Sequence, residues 1–284
     1  LDPLPPGLYT VAWQTLSQAD GHEWQGAFTF SVLNPDGTRP GGQMWSPGVV
    51  HASELPTPAA IGARWLLLIG SMLLFGLPLF RLLVARADDL GLMSLLRVGL
   101  FGSGLAALAG NLLGLALKAQ QVGGLDALPA LLLNARTGQL ALARLVILIV
   151  LLVGVIRLAR TSSRGLPALT VLALVLLGTI SLESHAAPVP GSLWAILGDL
   201  VHLAAAAVWL SGLLALCAAV WRGARHPDER RAQLASVAAR FSALAGIAML
   251  VLVASGLWSS LIQVPTLSAL VGTTYGRTLL AKLA

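Results

Sequence analysis

Residues 199–221 read Asp199-Leu-Val-His202-Leu-Ala-Ala-Ala-Ala-Val-Trp209-Leu-Ser-Gly-Leu213-Leu-Ala-Leu-Cys217-Ala-Ala-Val-Trp221. From Leu200 to Trp221 no side chain carries a formal charge. About 20 residues of helix cross the hydrocarbon core of a bilayer, with about 17 as the lower limit. This stretch is therefore a membrane span with one imidazole inside it. Four more uncharged stretches surround it, at Trp65–Phe80, Val98–Leu117, Gly165–Leu182 and Phe241–Ile262. Each reaches across if its flanking side chains snorkel. Thr137–Ile156 reaches spanning length only with Arg144 included, and Arg277–Ala284 opens a further apolar segment. The chain of 284 residues is 56% hydrophobic and 11% charged, against about 25% charged in a soluble domain. The expected fold is an all-α polytopic membrane helix bundle with six complete spans and the start of a seventh.

The charge is distributed by position. Arg81, Arg86 and Arg97 fall in the first loop between spans, and Arg157, Arg160 and Arg164 in the third. Arg222, Arg225, Arg230, Arg231 and Arg240 fall in or beside the fifth. The opposite loops hold mainly Lys118 and Arg136. The positive-inside rule then makes the arginine-rich loops cytoplasmic and the N-terminal region extracytoplasmic, with the 186–197 loop on that same outer side. The formal charge of +6 thus reports orientation in a membrane. Nucleic-acid binding would need a basic face with aromatic platforms in a soluble domain, and no nucleic-acid partner is expected.

Ahead of the spans the patterning changes period. Tyr9, Val11 and Trp13 alternate within Leu8–Leu16, and Phe28, Phe30 and Val32 within Ala27–Leu33. Such alternation reads as two strands, joined by Gln18-Ala-Asp20-Gly-His22. Two strands make no independent fold, so residues 1–33 read as the last strands of a β-sandwich. Residues 34–58, with five prolines and four glycines, form the linker, and 59–284 form the membrane domain. Both ends read as truncated, since Leu1 is no initiator and Ala284 falls within an apolar segment. Within the membrane domain, Arg136-Thr-Gly-Gln-Leu-Ala-Leu-Ala-Arg144-Leu resembles Thr274-Tyr-Gly-Arg-Thr-Leu-Leu-Ala-Lys282-Leu. Each copy opens an odd-numbered span with a glycine six residues before a cation, which reads as a parallel internal repeat.

Four of the five histidines, His22, His51, His185 and His202, fall on the outer side in this threading, and only His226 falls inside. Imidazole is the commonest protein ligand for transition metals. The densest constellation brackets the loop between spans four and five. Glu183-Ser-His185 ends one span, and Asp199-Leu-Val-His202 opens the next. Asp199 and His202, three apart, share a helix face, and a tight hairpin would bring His185 towards His202. Imidazole with carboxylate suits Cu(II) or Zn(II), whereas Cu(I) prefers sulfur. Arg144 and Lys282 stand at the same outer depth, either snorkelling, neutralising Glu183 or Asp199, or gating a cation path by repulsion. The single cysteine, Cys217, excludes an intrachain disulfide and reads as a small buried apolar side chain. Trp65, Trp194 and Trp258 read as an interfacial aromatic belt. His51, Met44, Met72, Met93 and Met249 read as solvated or packing residues.

Asp199-Leu-Val-His202 through Trp209-Leu-Ser-Gly-Leu213, with Ser184-His185-Ala186 before it, resembles the signature of the CopD copper-resistance membrane domain. Thr274-Tyr-Gly276 and Arg240-Phe-Ser are similar to further motifs of that family, which has a second glycine where this chain has Ser211. Gly7-Leu-Tyr-Thr-Val-Ala-Trp13, Asp20-Gly-His22 and Ala27-Phe-Thr-Phe-Ser-Val32 resemble the last strands of CopC, a small β-sandwich copper carrier. The resemblance covers nearly the whole chain as a CopC–CopD fusion. It implies copper as the ion handled, with Cu(II) held at the CopC-like turn by Asp20 and His22 together with an N-terminal histidine outside this chain. It also implies a multi-pass protein of the bacterial plasma membrane, with periplasmic copper carriers as candidate partners. The expectation is a carrier or channel without covalent chemistry. Copper would pass from Asp20 and His22 to His185 and His202, with Glu183, Asp199, Arg144 and Lys282 in support. Two rivals stand beside it: a membrane redox protein holding b-type haem through histidine, and a copper-binding sensor or scaffold that passes no ion.

Overall fold

The computed structural model describes residues 4–16, 23–40, 57–85, 92–122, 124–160, 165–183, 192–223 and 227–263. Strands β1 (Gly7–Leu16) and β2 (Glu23–Val32) form a two-stranded antiparallel sheet in the register Gly7↔Val32 to Leu16↔Glu23. Tyr9 stacks on Phe30 across the pair, with ring centroids 5.5 Å apart, and the Tyr9 hydroxyl donates to Pro5 O at 2.7 Å. Phe28, on the same face, is 54% exposed, while Tyr9 and Phe30 are half-buried.

Among the described residues seven α-helices follow: α1 (Pro58–Leu83), α2 (Leu92–Val122), α3 (Leu128–Asn134), α4 (Arg136–Arg160), α5 (Leu166–Ser181), α6 (Ser192–Gly223) and α7 (Pro227–Gln263). The start of α1 has a local cause. Thr57 Oγ1 accepts from Ala60 N at 3.2 Å as N-cap, and Pro58 fills the first helical position, where no N–H is needed. Five helices, α1, α2, α4, α6 and α7, are long and apolar enough to cross a membrane. The sixth expected span is α5, whose 16 residues reach about 24 Å at 1.5 Å per residue. The start of a seventh, from Arg277, lies outside the described residues. The short α3 was not anticipated between the second and third spans.

Helices α1, α2, α4 and α5 close into a ring of pairwise contacts, and α6 joins it against α1 and α5, with α7 against α6. Paired positions alternate in direction. Gly104 and Asn111 of α2 face Leu152 and Ala141 of α4, and Gly154 and Arg144 of α4 face Leu169 and Thr179 of α5. The close approaches are made at small residues, as expected where apolar surface alone cannot draw helices together in lipid. A Cβ on Gly110 would overlap Leu67 N and Ala63 O. At the α1–α6 crossing a Cβ on Gly76 would overlap Ser211 Oγ and Ala207 O. Ser211, at the position where the resembling family has glycine, is fully buried in that crossing.

The core is continuous through Leu74, Phe80, Leu148, Leu151, Leu176 and Phe241. The outside is as apolar as the inside: Val98, Leu250 and Val253 are 71%, 73% and 63% exposed. Large apolar side chains pointing outward around a bundle fit lipid as the surrounding solvent. Trp65, Trp194 and Trp258 are exposed, as an interfacial belt requires. Cys217 differs from expectation. It is exposed on α6 and faces outward from the bundle. Its place deep in an apolar span does not make it interior to the protein, because a lone helix pattern does not say which face meets lipid.

Candidate functional site

Arg144 lies two turns into α4 and is 3% exposed. Its guanidinium is held from three directions. Nε donates to Thr179 Oγ1 at 3.0 Å, one terminal nitrogen donates to Thr179 O at 2.7 Å, and the other meets Glu183 Oε2 at 2.5 Å. Lys118 Nζ, from α2, meets Glu183 Oε1 at 2.5 Å. Both carboxylate oxygens are thus engaged by cations, and three helices are tied together at one end of the bundle. Just past the end of α5, Glu183 is partly buried, which acts to raise its pKa. The charges of Arg144 and then Lys118 outweigh that burial and hold the carboxyl below its usual value. Of the roles open to Arg144 from sequence, neutralising Glu183 is the one seen. Next to this tie, Asn111 Nδ2 donates to Ala141 O at 3.0 Å and fastens α2 to α4.

The glycine of the repeated motif also has a reason here. A Cβ on Gly138 would overlap Leu131 O of α3, so only glycine lets the short helix lie against the start of α4. Gly138 admits α3, and the cation six residues on fastens α5.

His202 lies ten residues into α6, nearly three turns from its start at Ser192. That is deeper than a span opening at Asp199 would place it. The partly buried imidazole crosses to α7, where Nδ1 lies 3.0 Å from Ser255 Oγ. A Cβ on Gly256 would reach ordinary contact with His202 Cε1 at 3.6 Å, so the ring rests against the backbone of α7. Asp199 is on the same helix and partly buried. It makes no hydrogen bond or ion pair among the described residues. A cavity of about 340 Å³ opens beside this seam, lined by Trp194, Val201, Ser255 and Trp258 among others.

Asp20, His22, His51, His185, His226 and Lys282 lie outside the described residues. Among the described residues, no group of three or more histidine, cysteine, aspartate or glutamate side chains stands close enough to hold a metal ion. Glu183 and His202, expected side by side, have separate partners: Glu183 faces the α2–α4 side and His202 faces α7. Three residues that bond across helices here, Thr179 with Arg144, Asn111 with Ala141 and Ser255 with His202, were missed. The available signal was a hydroxyl or amide inside an apolar span, which needs a bonding partner wherever it is buried.

Residues 55–196, half of the chain, match the family described as Copper resistance protein D-like, N-terminal domain. The chain belongs to this copper resistance protein D family. Residues 235–284 match Copper resistance protein D and residues 1–33 match the CopC domain, which is the order of a CopC–CopD fusion. The copper transport protein CutJ of Bacillus subtilis (strain 168) is 28% identical over 292 residues, covering 98% of this chain and 52% of that relative. The chain therefore spans about half the length of this curated relative. No solved structure matches it. Copper resistance, the description of the matched family, is thus the setting in which the polar groups of this CopD-type bundle are to be understood.

Proposed function

We propose that the protein takes copper from an extracytoplasmic CopC-like site at Asp20 and His22 and moves it inward through the bundle by way of His185 and His202. Residues 1–33 are the CopC-like strands, 34–58 the linker and 59–284 the CopD-like membrane domain. The membrane is the bacterial plasma membrane, with the N-terminal region and the 186–197 loop outside and the arginine-rich loops in the cytoplasm. The ion is cargo, and no covalent chemistry is required.

One observation carries this reading: an imidazole held deep inside a spanning helix, with Asp199 on the same helix face. An ionisable group at such depth is expensive, and its presence points to function before packing. His185 is two residues beyond Glu183, within about 7 Å of chain, so the tie on Glu183 fixes where that segment begins. Glu183 enters as a fixing point, since two cations already hold its oxygens.

The test is copper accumulation in cells or vesicles. His202→Ala and His185→Ala should each abolish it with expression unchanged. Asp199→Asn should give a partial loss, since an outer-shell carboxylate typically contributes about 10–100-fold in metal affinity. Wild-type accumulation in the double histidine variant would overturn the site. A Soret band in the purified protein, lost in His202→Ala, would transfer the histidine to haem.

A further inference from the structure

We infer that Ser255 is a positioning residue that fixes the tautomer of His202, placing the ring proton on Nδ1 and leaving the Nε2 lone pair as the atom that accepts copper. The copper clause rests on the function proposed above; the tautomer clause stands on geometry alone.

The argument is a count of hydrogens. A serine hydroxyl has one proton and two lone pairs. Ser255 Oγ lies 2.6 Å from Val251 O and 3.2 Å from Leu252 O, both one turn back on α7. Two oxygens approach to 2.6 Å only with a proton between them, and a carbonyl supplies none. The hydroxyl proton is therefore committed to Val251. What Ser255 offers His202, at 3.0 Å, is a lone pair, so Nδ1 must be the donor. A neutral imidazole with its proton on Nδ1 has none on Nε2. Ser255 is 7% exposed, so water does not readily take over this bond.

The choice of a hydroxyl has a consequence for the cargo. Metal-bound histidines usually donate their other N–H to a carboxylate, a backbone carbonyl or water, which orients the ring and makes it a stronger ligand. A neutral hydroxyl orients the ring while adding no charge. An ion in transit needs a site favourable enough to enter and weak enough to leave. Ser255 meets the first need through direction and the second through its neutrality.

The protein is labelled with 15N-histidine, reconstituted in lipid, and the His202 resonances are assigned by their loss in His202→Gln. We expect a protonated Nδ1 and an unprotonated Nε2 in the wild type. Ser255→Ala should redistribute the proton between the two nitrogens and lower copper accumulation about 10–100-fold. Ser255→Thr, which keeps the hydroxyl and its bond to the preceding turn, should retain both. A wild-type ring protonated on Nε2, or a Ser255→Ala spectrum identical to wild type, would overturn the inference. If the tautomer behaves as expected while Ser255→Ala and His202→Ala both accumulate copper normally, the copper role of Nε2 falls and the tautomer assignment stands.

Discussion

Arg144 brings a permanent charge into the apolar body of α4, and its fork of donors spans Thr179 and Glu183 at once. Removing the guanidinium leaves Glu183 with Lys118 alone, and the loss of a hydrogen bond to a charged group typically costs about 1.5–3 kcal/mol. Arg144→Ala should lower unfolding stability in detergent or bicelles by about that amount. Arg144→Lys should recover only part, since an ammonium is a point charge that cannot bridge both residues. Lys118, 43% exposed, should matter less, at about 1 kcal/mol or below. Equal losses in Arg144→Ala and Lys118→Ala would show that burial does not govern the tie. A pH dependence follows with a definite sign. The Glu183 carboxyl is held below its usual value, so its contribution is present above the unfolded pKa of about 4.3. That contribution is lost as pH falls through the lower folded value. Melting temperature should drop on acidification below about pH 4, and Glu183→Gln should flatten the drop.

At the scale of elements, the α1–α2 seam depends on backbone meeting backbone. A side chain on Gly110 would overlap Leu67 N and Ala63 O, whereas one on Gly114, one turn along the same helix, would meet nothing within 4 Å. Gly110→Val should destabilise by about 1–3 kcal/mol and Gly114→Val by little, measured by reversible unfolding. Equal effects would mean that β-branching, and not the seam, is responsible. The pair also shows what was legible beforehand. Length and polarity located α1, α2, α4, α6 and α7, because the hydrocarbon thickness imposes a length that composition alone reveals. They could not distinguish Gly110 from Gly114, because packing partners come from elsewhere in the chain. The same limit hid α3, too short for any span rule, and left Cys217 on the wrong face. Arg144 and Glu183 were legible as candidates and His202 as an intramembrane imidazole. Thr179, Asn111 and Ser255 were not, since a hydroxyl or amide in an apolar run is common and only its partner gives it a role.

For the whole molecule, orientation is the quantity on which every outer and inner assignment rests. With Cys217 replaced by alanine, single cysteines at Ser192 and Ala232 should react with an impermeant thiol reagent in intact cells only at Ser192. Labelling at Ala232 instead would invert the bundle and move His202 towards the cytoplasmic side. The tie at Arg144 also bears on how the chain is made. A lone helix carrying arginine two turns from its start meets an insertion penalty of at most about 2.5–3.5 kcal/mol, and the residue that relieves it, Glu183, is synthesised later. Until α5 has emerged, α4 has only Lys118, another cation, waiting for it. The leucines, isoleucines and valines of α4, which make it the most apolar of the five candidate spans, outweigh that penalty at about 0.3–0.6 kcal/mol each, so α4 can enter lipid ahead of its partner. The arginine then waits in the membrane for a counter-charge that arrives only with the end of α5, so the bond that steadies the finished bundle is among the last its four-helix ring can make.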